Sequence, residues 1–235
     1  MEAPASDTLA MTVSLGSPTL LLVPTELEHA RLQDLGGFTP GTCLVSLCGF
    51  GPVASAARTA QLLGQLRPKR VLLVGIAGAY DTEQAPVGSA LEFEEVAMHG
   101  IGAGEGTAFE GPPALGFPQW PGSPGTTKHP VVDSLPLACP KGVGQGTLLT
   151  TCAAAKQEEQ SRFRQDLFGE AVAEDMEGFA VAMACALAQT PLRIIRGISN
   201  RVADRDPATW RIPAALAAAR DRAQAILANT DWEER

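Results

Sequence analysis

Three carboxylates crowd the stretch "EDMEG" (174–178), and the chain then runs into "FAVAMACALAQ", which is apolar almost without a break. Side chains alternate in extended backbone, so Asp175 and Glu177 fall on one side and Met176 on the other. Such a pair admits three chemistries. It can accept hydrogen bonds from the vicinal hydroxyls of a sugar, cap the helix that follows, or bind a metal. Capping explains one acid but not three, and no supporting metal ligands stand nearby in sequence. The sugar reading is therefore preferred, with the acids taken as unpaired at the entrance to the core. A second candidate is "TELEHARLQ" (25–33), where Glu26 and Glu28 follow an apolar run. They fit either an acidic first helical turn or a carboxylate that activates a nucleophilic water. A third is "RGISN" (196–200), which ends in Ser199 and Asn200. The amide of Asn200 both donates and accepts, as a turn cap or as a reader of a heterocycle.

The elements that must position these groups follow from the apolar pattern. "PTLLLVP" (18–24), "TCLVSLC" (42–48), "RVLLVGIAGAY" (70–80), "AVAEDM" (171–176) and "LRIIRGISN" (192–200) read as buried strands. Alanine-rich helices alternate with them, at 49–66, after 177, and at 213–230. Continuous aliphatic runs alternating with helices predict an α/β domain whose mixed, twisted central sheet is covered on both faces. Ligands of such sheets gather at the C-terminal ends of strands. Five segments lie at such ends: the Glu26/Glu28 turn, Gly49–Gly51, Gly75–Gly78, the 174–177 cluster and Ser199–Asn200. They are expected to face one pocket. The glycines at 49–51 and 75–78 match neither a dinucleotide fingerprint nor a Walker loop, and turn chemistry alone accounts for them.

Residues 100–141 are dense in glycine and proline and read as a loop-rich excursion. Its flanks "SALEFEEVAM" and "KGVGQGTLLTT" both read as strands, so residues 1–235 are taken as one domain, with 1–16 expected to be disordered. At 235 residues and 45% hydrophobic composition, a sizeable core is within reach. The net charge of −8, with scattered Lys and Arg, excludes a nucleic-acid or anionic-membrane surface. No apolar run approaches the ~18 residues of a membrane span, and no signal segment opens the chain. A cytoplasmic protein is expected. The five cysteines form no CxxC pair and read as buried free thiols. His29, His99 and His129 lack any metal-binding spacing and read as surface or loop residues. No metal or organic cofactor is expected.

"EDMEGFAVAMAC", the later "RGISN" and the early "TELE" together resemble the nucleoside phosphorylase and nucleosidase superfamily. That superfamily includes methylthioadenosine/S-adenosylhomocysteine nucleosidases and futalosine hydrolases. "GIAGAY" (75–80) and "SNRVADRDPATWRIPAAL" (199–216) are most similar to the futalosine hydrolase branch, which acts in menaquinone biosynthesis. The resemblance implies Glu28 as the base that activates water, with Glu26 as the alternative, and Asn200 as the residue that stabilises the departing purine. It implies a substrate-binding set of Ile76, Ala77, Gly78, Thr150, Asp175, Met176, Glu177 and Ser199, with Met176 on the ribosyl–base unit and Glu177 on the ribose hydroxyls. Two positions depart from the adenine-specific nucleosidases: Asn200 replaces an acid, and apolar Ile76 replaces a serine. An amide complements a 6-oxopurine, donating to O6 and accepting from a protonated N7. The implied reaction is hydrolysis of futalosine to hypoxanthine. The benzoate of futalosine would meet Arg201, Arg205 or Arg211 near Trp210. The alternatives are an adenine-type nucleosidase, a phosphorylase, or a nucleoside-binding sensor. A homodimer or higher homo-oligomer is implied as well.

Overall fold

The computed structural model describes residues 19–229; the expectation for residues 1–16 lies outside them. The strands are β1 (Thr19–Val23), β2 (Cys43–Leu47), β3 (Arg70–Ala79), β4 (Ala90–Glu92), β5 (Glu95–His99), β6 (Ser134–Pro136), β7 (Thr147–Thr151), β8 (Ala171–Asp175) and β9 (Leu192–Arg201). The helices are α1 (Glu26–Asp34), α2 (Gly51–Leu66), α3 (Pro112–Leu115), α4 (Glu158–Leu167), α5 (Gly178–Leu187) and α6 (Ile212–Ala228). The strands form one mixed sheet in the order β2-β1-β3-β8-β7-β5-β6, with β9 pairing β3 and β4. Two aliphatic cores sit against it. One gathers Leu20, Leu22, Leu73, Phe93, Phe179 and Val181; the other gathers Leu21, Val23, Leu72, Ile195, Leu216 and Ala219. The residues of β1 alternate between the two, as strand geometry requires for a sheet covered on both faces.

The topology of β3 shapes the site. Its first half runs parallel to β1 (Thr19↔Arg70 through Leu22↔Leu73). Its last residues pair antiparallel with β8 instead (Gly78↔Glu174, Ala79↔Ala173). The change of partner brings the acid-bearing end of β8 beside the glycine-bearing end of β3. On the opposite edge, β9 follows β3 in parallel until a bulge sets Ala77 opposite Ile198 and Gly78 opposite Asn200. Ser199 is the extra residue. A bulge inserts one residue and re-aims the side chain after it, here Asn200.

Other expectations resolve less simply. The run "SALEFEEVAM" is two short strands, β4 against β9 and β5 against β7 and β6. The excursion is not all loop, since β6 adds an antiparallel edge strand and α3 a single turn opened by Pro112. Helix α4 is the element that the apolar pattern does not reveal; "EEQSRFRQDL" places Phe163 and Leu167 among charges. Cys48, Cys139 and Cys185 are buried, but Cys43 is half-buried and Cys152 is exposed, all five as free thiols. Burial raises the thiols of Cys48 and Cys139 to about 12. His99 is not a surface residue either. Its ring packs edge-on against Phe109 (4.8 Å), Phe163 and Phe168. Burial, assisted by the nearby Arg164 cation, lowers its pKa to about 4. Among the described residues no helix is long and apolar enough to cross a membrane.

Candidate active site

A cavity of about 300 Å³ opens where β3, β8 and β9 end. Thr25, Glu28, Phe50, Ile76, Ala77, Gly78, Asp175, Met176, Glu177, Ser199 and Asn200 line it, so all five strand-end segments contribute. Glu26 is exposed and outside the lining, which leaves Glu28 as the carboxylate of that turn.

Glu28 is buried and held by three donors. Thr25 N and Thr25 Oγ1 donate to its Oε2 at 3.1 and 2.6 Å, and Ile76 N donates to Oε1 at 2.9 Å. The bond from Thr25 N, together with Glu28 N donating back to Thr25 Oγ1 at 3.2 Å, forms a reciprocal capping box at the start of α1. The helix-start reading and the site reading of this acid are therefore compatible: capping fixes the carboxylate, and the cavity uses it.

The acids at 174–177 are paired, contrary to the sequence expectation. Each has an arginine. Glu174 accepts from Arg164 Nη1 at 2.5 Å, Tyr80 Oη at 2.9 Å and Ala155 N at 2.8 Å. Asp175 accepts from Arg196 Nε at 3.0 Å and from Arg196 Nη2, Gly178 N and Thr150 Oγ1. Glu177 accepts from Gly51 N at 3.0 Å and Arg196 Nη2 at 3.3 Å. Glu177 stands at the N-cap of α5 without capping it; Asp175 takes the Gly178 N–H instead. The oxygens of Asp175 are thus filled from within, and Glu177 is the acid left with capacity to bind hydroxyls. Burial raises the Glu177 carboxyl to about 7, against the pull of Arg196 and with the Asp175 charge adding to the rise.

Arg196 is fully buried, and the three carboxylates Asp175, Glu177 and Glu28 hold it as a cation against the cost of burial. Its Nη1 has no hydrogen-bond partner among the described residues. A methyl group on Gly75 would collide with that Nη1 and lie 2.7 Å from Glu28 Oε1. Gly75 lies inside β3, so its need is close approach rather than a turn. The glycine lets a buried donor and a buried acceptor flank one point.

Asn200 is fixed by its own neighbourhood. Ser199 Oγ donates to Asn200 Oδ1 at 2.6 Å, and Nδ2 donates to Arg201 O at 2.8 Å and Asp204 O at 3.3 Å. The turn-cap role weighed from sequence is present in the structure. Oδ1 keeps a lone pair for a ligand N–H, while Nδ2 can reach a ligand carbonyl only by giving up a bond.

Thr150 lies behind the cavity rather than in its lining. It is fully buried, donates to Asp175 Oδ1 at 2.6 Å and accepts from Phe179 N at 2.8 Å. It positions Asp175 and the first turn of α5. Arg196, Ala154 and Ala155 are among the site contributors that pattern reading passed over. A signal for Arg196 existed: a charge inside an otherwise aliphatic strand needs a buried partner. Among the described residues no group of three or more His, Cys, Asp or Glu is arranged to hold a metal ion.

A mixed sheet whose central strand changes partner beside buried carboxylates defines an α/β enzyme cavity for a small polar ligand. The sequence profile of the Phosphorylase superfamily matches residues 34–230, and the chain belongs to that superfamily. It is 35% identical over 180 residues to a futalosine hydrolase of Streptomyces coelicolor, covering 74% of this chain and 73% of that one. It is 32% identical over 222 residues to a futalosine hydrolase of Thermus thermophilus, covering 89% and 95%. In fold it is similar to a 5'-methylthioadenosine/S-adenosylhomocysteine nucleosidase of Colwellia psychrerythraea solved with adenine. That similarity has a TM-score of 0.68 at 22% identity, covering 90% and 93%. These relatives are N-glycosyl hydrolases by name.

Proposed function

We propose that this enzyme hydrolyses the N-glycosidic bond of a 6-oxopurine nucleoside, futalosine, releasing hypoxanthine, as a step of menaquinone biosynthesis. The observation that carries the chemistry is the unpartnered Nη1 of Arg196 beside Glu28 Oε1. A water bridging the two atoms would accept from the guanidinium and donate to the carboxylate, which leaves its remaining lone pair for attack. Glu177 holds the ribose hydroxyls and Met176 packs on the nucleoside. As the bond breaks, positive charge grows on the ribosyl ring, flanked by Glu28 and Glu177. Negative charge grows on the purine, met by Asn200. Oδ1 accepts from N7–H, the proton on N7 being taken from solvent as the glycosidic bond breaks. Nδ2 reaches O6 by exchanging its longer bond, the one to Asp204 O.

Water is preferred over phosphate because the arginine at the nucleophile, Arg196, is already paired with Asp175 and Glu177. The basic residues before β3 lie elsewhere: Lys69 lines a separate cavity with Leu192, and Arg70 Nε donates to Thr19 Oγ1 at the start of β1. One observation favours a second reading, an adenine-releasing nucleosidase: Asn200 Nδ2 already has two acceptors. Self-association remains part of the proposal, and the exposed Leu27, Phe50 and Val53 supply apolar surface beside α1 and α2 for it.

The test is chromatographic detection of free base from futalosine, its adenine analogue, inosine and methylthioadenosine, each with and without phosphate. Hypoxanthine from futalosine, indifferent to phosphate, is the expected result. Adenine release in preference to hypoxanthine would refute the reading of Asn200, and a phosphate requirement that of the nucleophile.

A further inference from the structure

The loop from Val202 to Arg211 returns to the cavity mouth with four residues in its lining, Val202, Ala203, Arg205 and Trp210. The guanidinium carbon of Arg205 stands 4.9 Å from the centre of the Trp210 ring. Stacking of this kind holds a guanidinium by its face and leaves its in-plane N–H donors available. The adjacent acid does not use them. Asp204 spends its carboxylate on its own loop, accepting from Thr209 Oγ1 at 2.6 Å and Asp206 N at 3.0 Å. Among the described residues no carboxylate lies within ion-pair distance of Arg205. Its two neighbours of like charge differ. Arg201 pairs with Glu158 at 2.6 Å, and Arg211 is absent from the cavity lining. Trp210 is itself fixed, its Nε1 donating at 3.2 Å to Asp204 O, the carbonyl that also receives Asn200 Nδ2. The stacked pair is thus tied to the residue assigned to the purine.

We propose that Arg205, presented on the Trp210 ring, is a specificity residue that receives a carboxylate carried by the substrate. The proposal rests on the nucleosidase reading of the cavity, in which the substrate already carries a benzoate, and adds which of the three arginines reads that group and how it is presented. A single planar fork matches a carboxylate bidentately. A phosphate dianion is disfavoured, since no lysine joins the lining and Glu28, Glu174, Asp175 and Glu177 share the same cavity.

The experiment compares futalosine with its methyl ester, which keeps the shape and removes the charge, on the wild-type protein, Arg205→Ala and Arg205→Lys. Calorimetric affinities are measured beside hydrolysis rates, so binding is read even without turnover. A charge-assisted contact predicts ~10- to 100-fold tighter binding of the acid than of the ester. Arg205→Ala should erase that preference, raising KM for the acid with kcat little changed, and Arg205→Lys should restore part of it. Equal affinities in the wild-type protein, or a preference that survives Arg205→Ala, would overturn the proposal. An Arg205-dependent preference without hypoxanthine release would refute the hydrolase reading alone. Failure of the wild-type protein to bind either compound would overturn both.

Discussion

Strand β9 carries two buried arginines three residues apart, and they are used differently. Arg193 meets Glu92 through two hydrogen bonds, Nε to Oε1 at 2.5 Å and Nη2 to Oε2 at 3.0 Å. Arg222 adds a third contact to Glu92 at 3.3 Å. Arg196 spreads its hydrogen bonds over Asp175 and Glu177 and keeps one nitrogen unpartnered. The first arrangement is a matched pair, one fork on one carboxylate, that ties β4 to β9. The second carries an excess of acid and an unspent donor, an unfavourable state for the fold alone. Among the described residues each network keeps one buried nitrogen without a hydrogen bond, Arg222 Nε in the first and Arg196 Nη1 in the second. Only the second has an excess of acid and carboxylates that line the cavity, where spare capacity can serve a ligand.

Replacing each arginine by methionine breaks this comparison most severely. Arg196→Met leaves Asp175 and Glu177 buried without their cation, which should cost about 3–5 kcal/mol of stability. It should also abolish turnover in whatever fraction stays folded. Arg193→Met should cost less, about 3 kcal/mol, because Arg222 still reaches Glu92. Its kcat and KM per folded molecule should match those of the wild-type protein. Urea unfolding and hydrolysis assays on both variants check this. Full turnover in Arg196→Met, or a catalytic defect in Arg193→Met, would erase the distinction.

Glu28→Gln sharpens the comparison by changing the chemistry with a small cost to structure. Glutamine serves a capping box as glutamate does, so the bond from Thr25 N can persist, but its NH2 group cannot also accept from Ile76 N. The melting temperature should fall modestly, by the loss of one buried hydrogen bond. Turnover should fall about 10²-fold or more with the loss of the base, while nucleoside affinity changes little. A stable variant with near-normal turnover would move the base away from Glu28.

Much of this was legible before the structure. The apolar runs at 18–24, 70–80 and 192–200 correspond to β1, β3 and β9, because strands covered on both faces favour apolar side chains. Strand β9 departs from this at Arg193 and Arg196, which take buried acid partners. The meeting of five strand ends at one cavity follows from the geometry of parallel sheets. What escaped pattern reading depended on long-range partners. The acids at 174–177 read as unpaired because their arginines lie at Arg164 and Arg196, one on the charge-rich helix α4 and one about twenty residues downstream. The family resemblance implies Thr150 as a substrate-binding residue, yet Asp175 and Phe179 N claim its hydroxyl. The bulge at Ser199 has no signature in "RGISN", since register is set by the neighbouring strand.

The smallest expected effect concerns pH, and it probes the cost of leaving the Arg196 network open. Glu177 titrates near 7, raised mainly by burial. If the carboxylate holds the ribose hydroxyls, binding improves as pH rises through that value, and KM should fall by up to about tenfold between pH 6 and 8. The same shift has the opposite sign for stability. A group whose folded pKa exceeds its unfolded value of 4.5 stabilises the fold most below pH 4.5, and that contribution is lost as pH climbs towards 7. Above pH 7 the site therefore holds its working charge at the expense of the fold. Glu177→Gln, neutral at every pH, should show a flat KM profile, weaker substrate binding at pH 8 and a higher melting temperature than the wild-type protein there. A pH step in KM that persists in Glu177→Gln would assign the titration to another group. A lower melting temperature for that variant at pH 8 would mean that Arg196 more than offsets the burial of this charge.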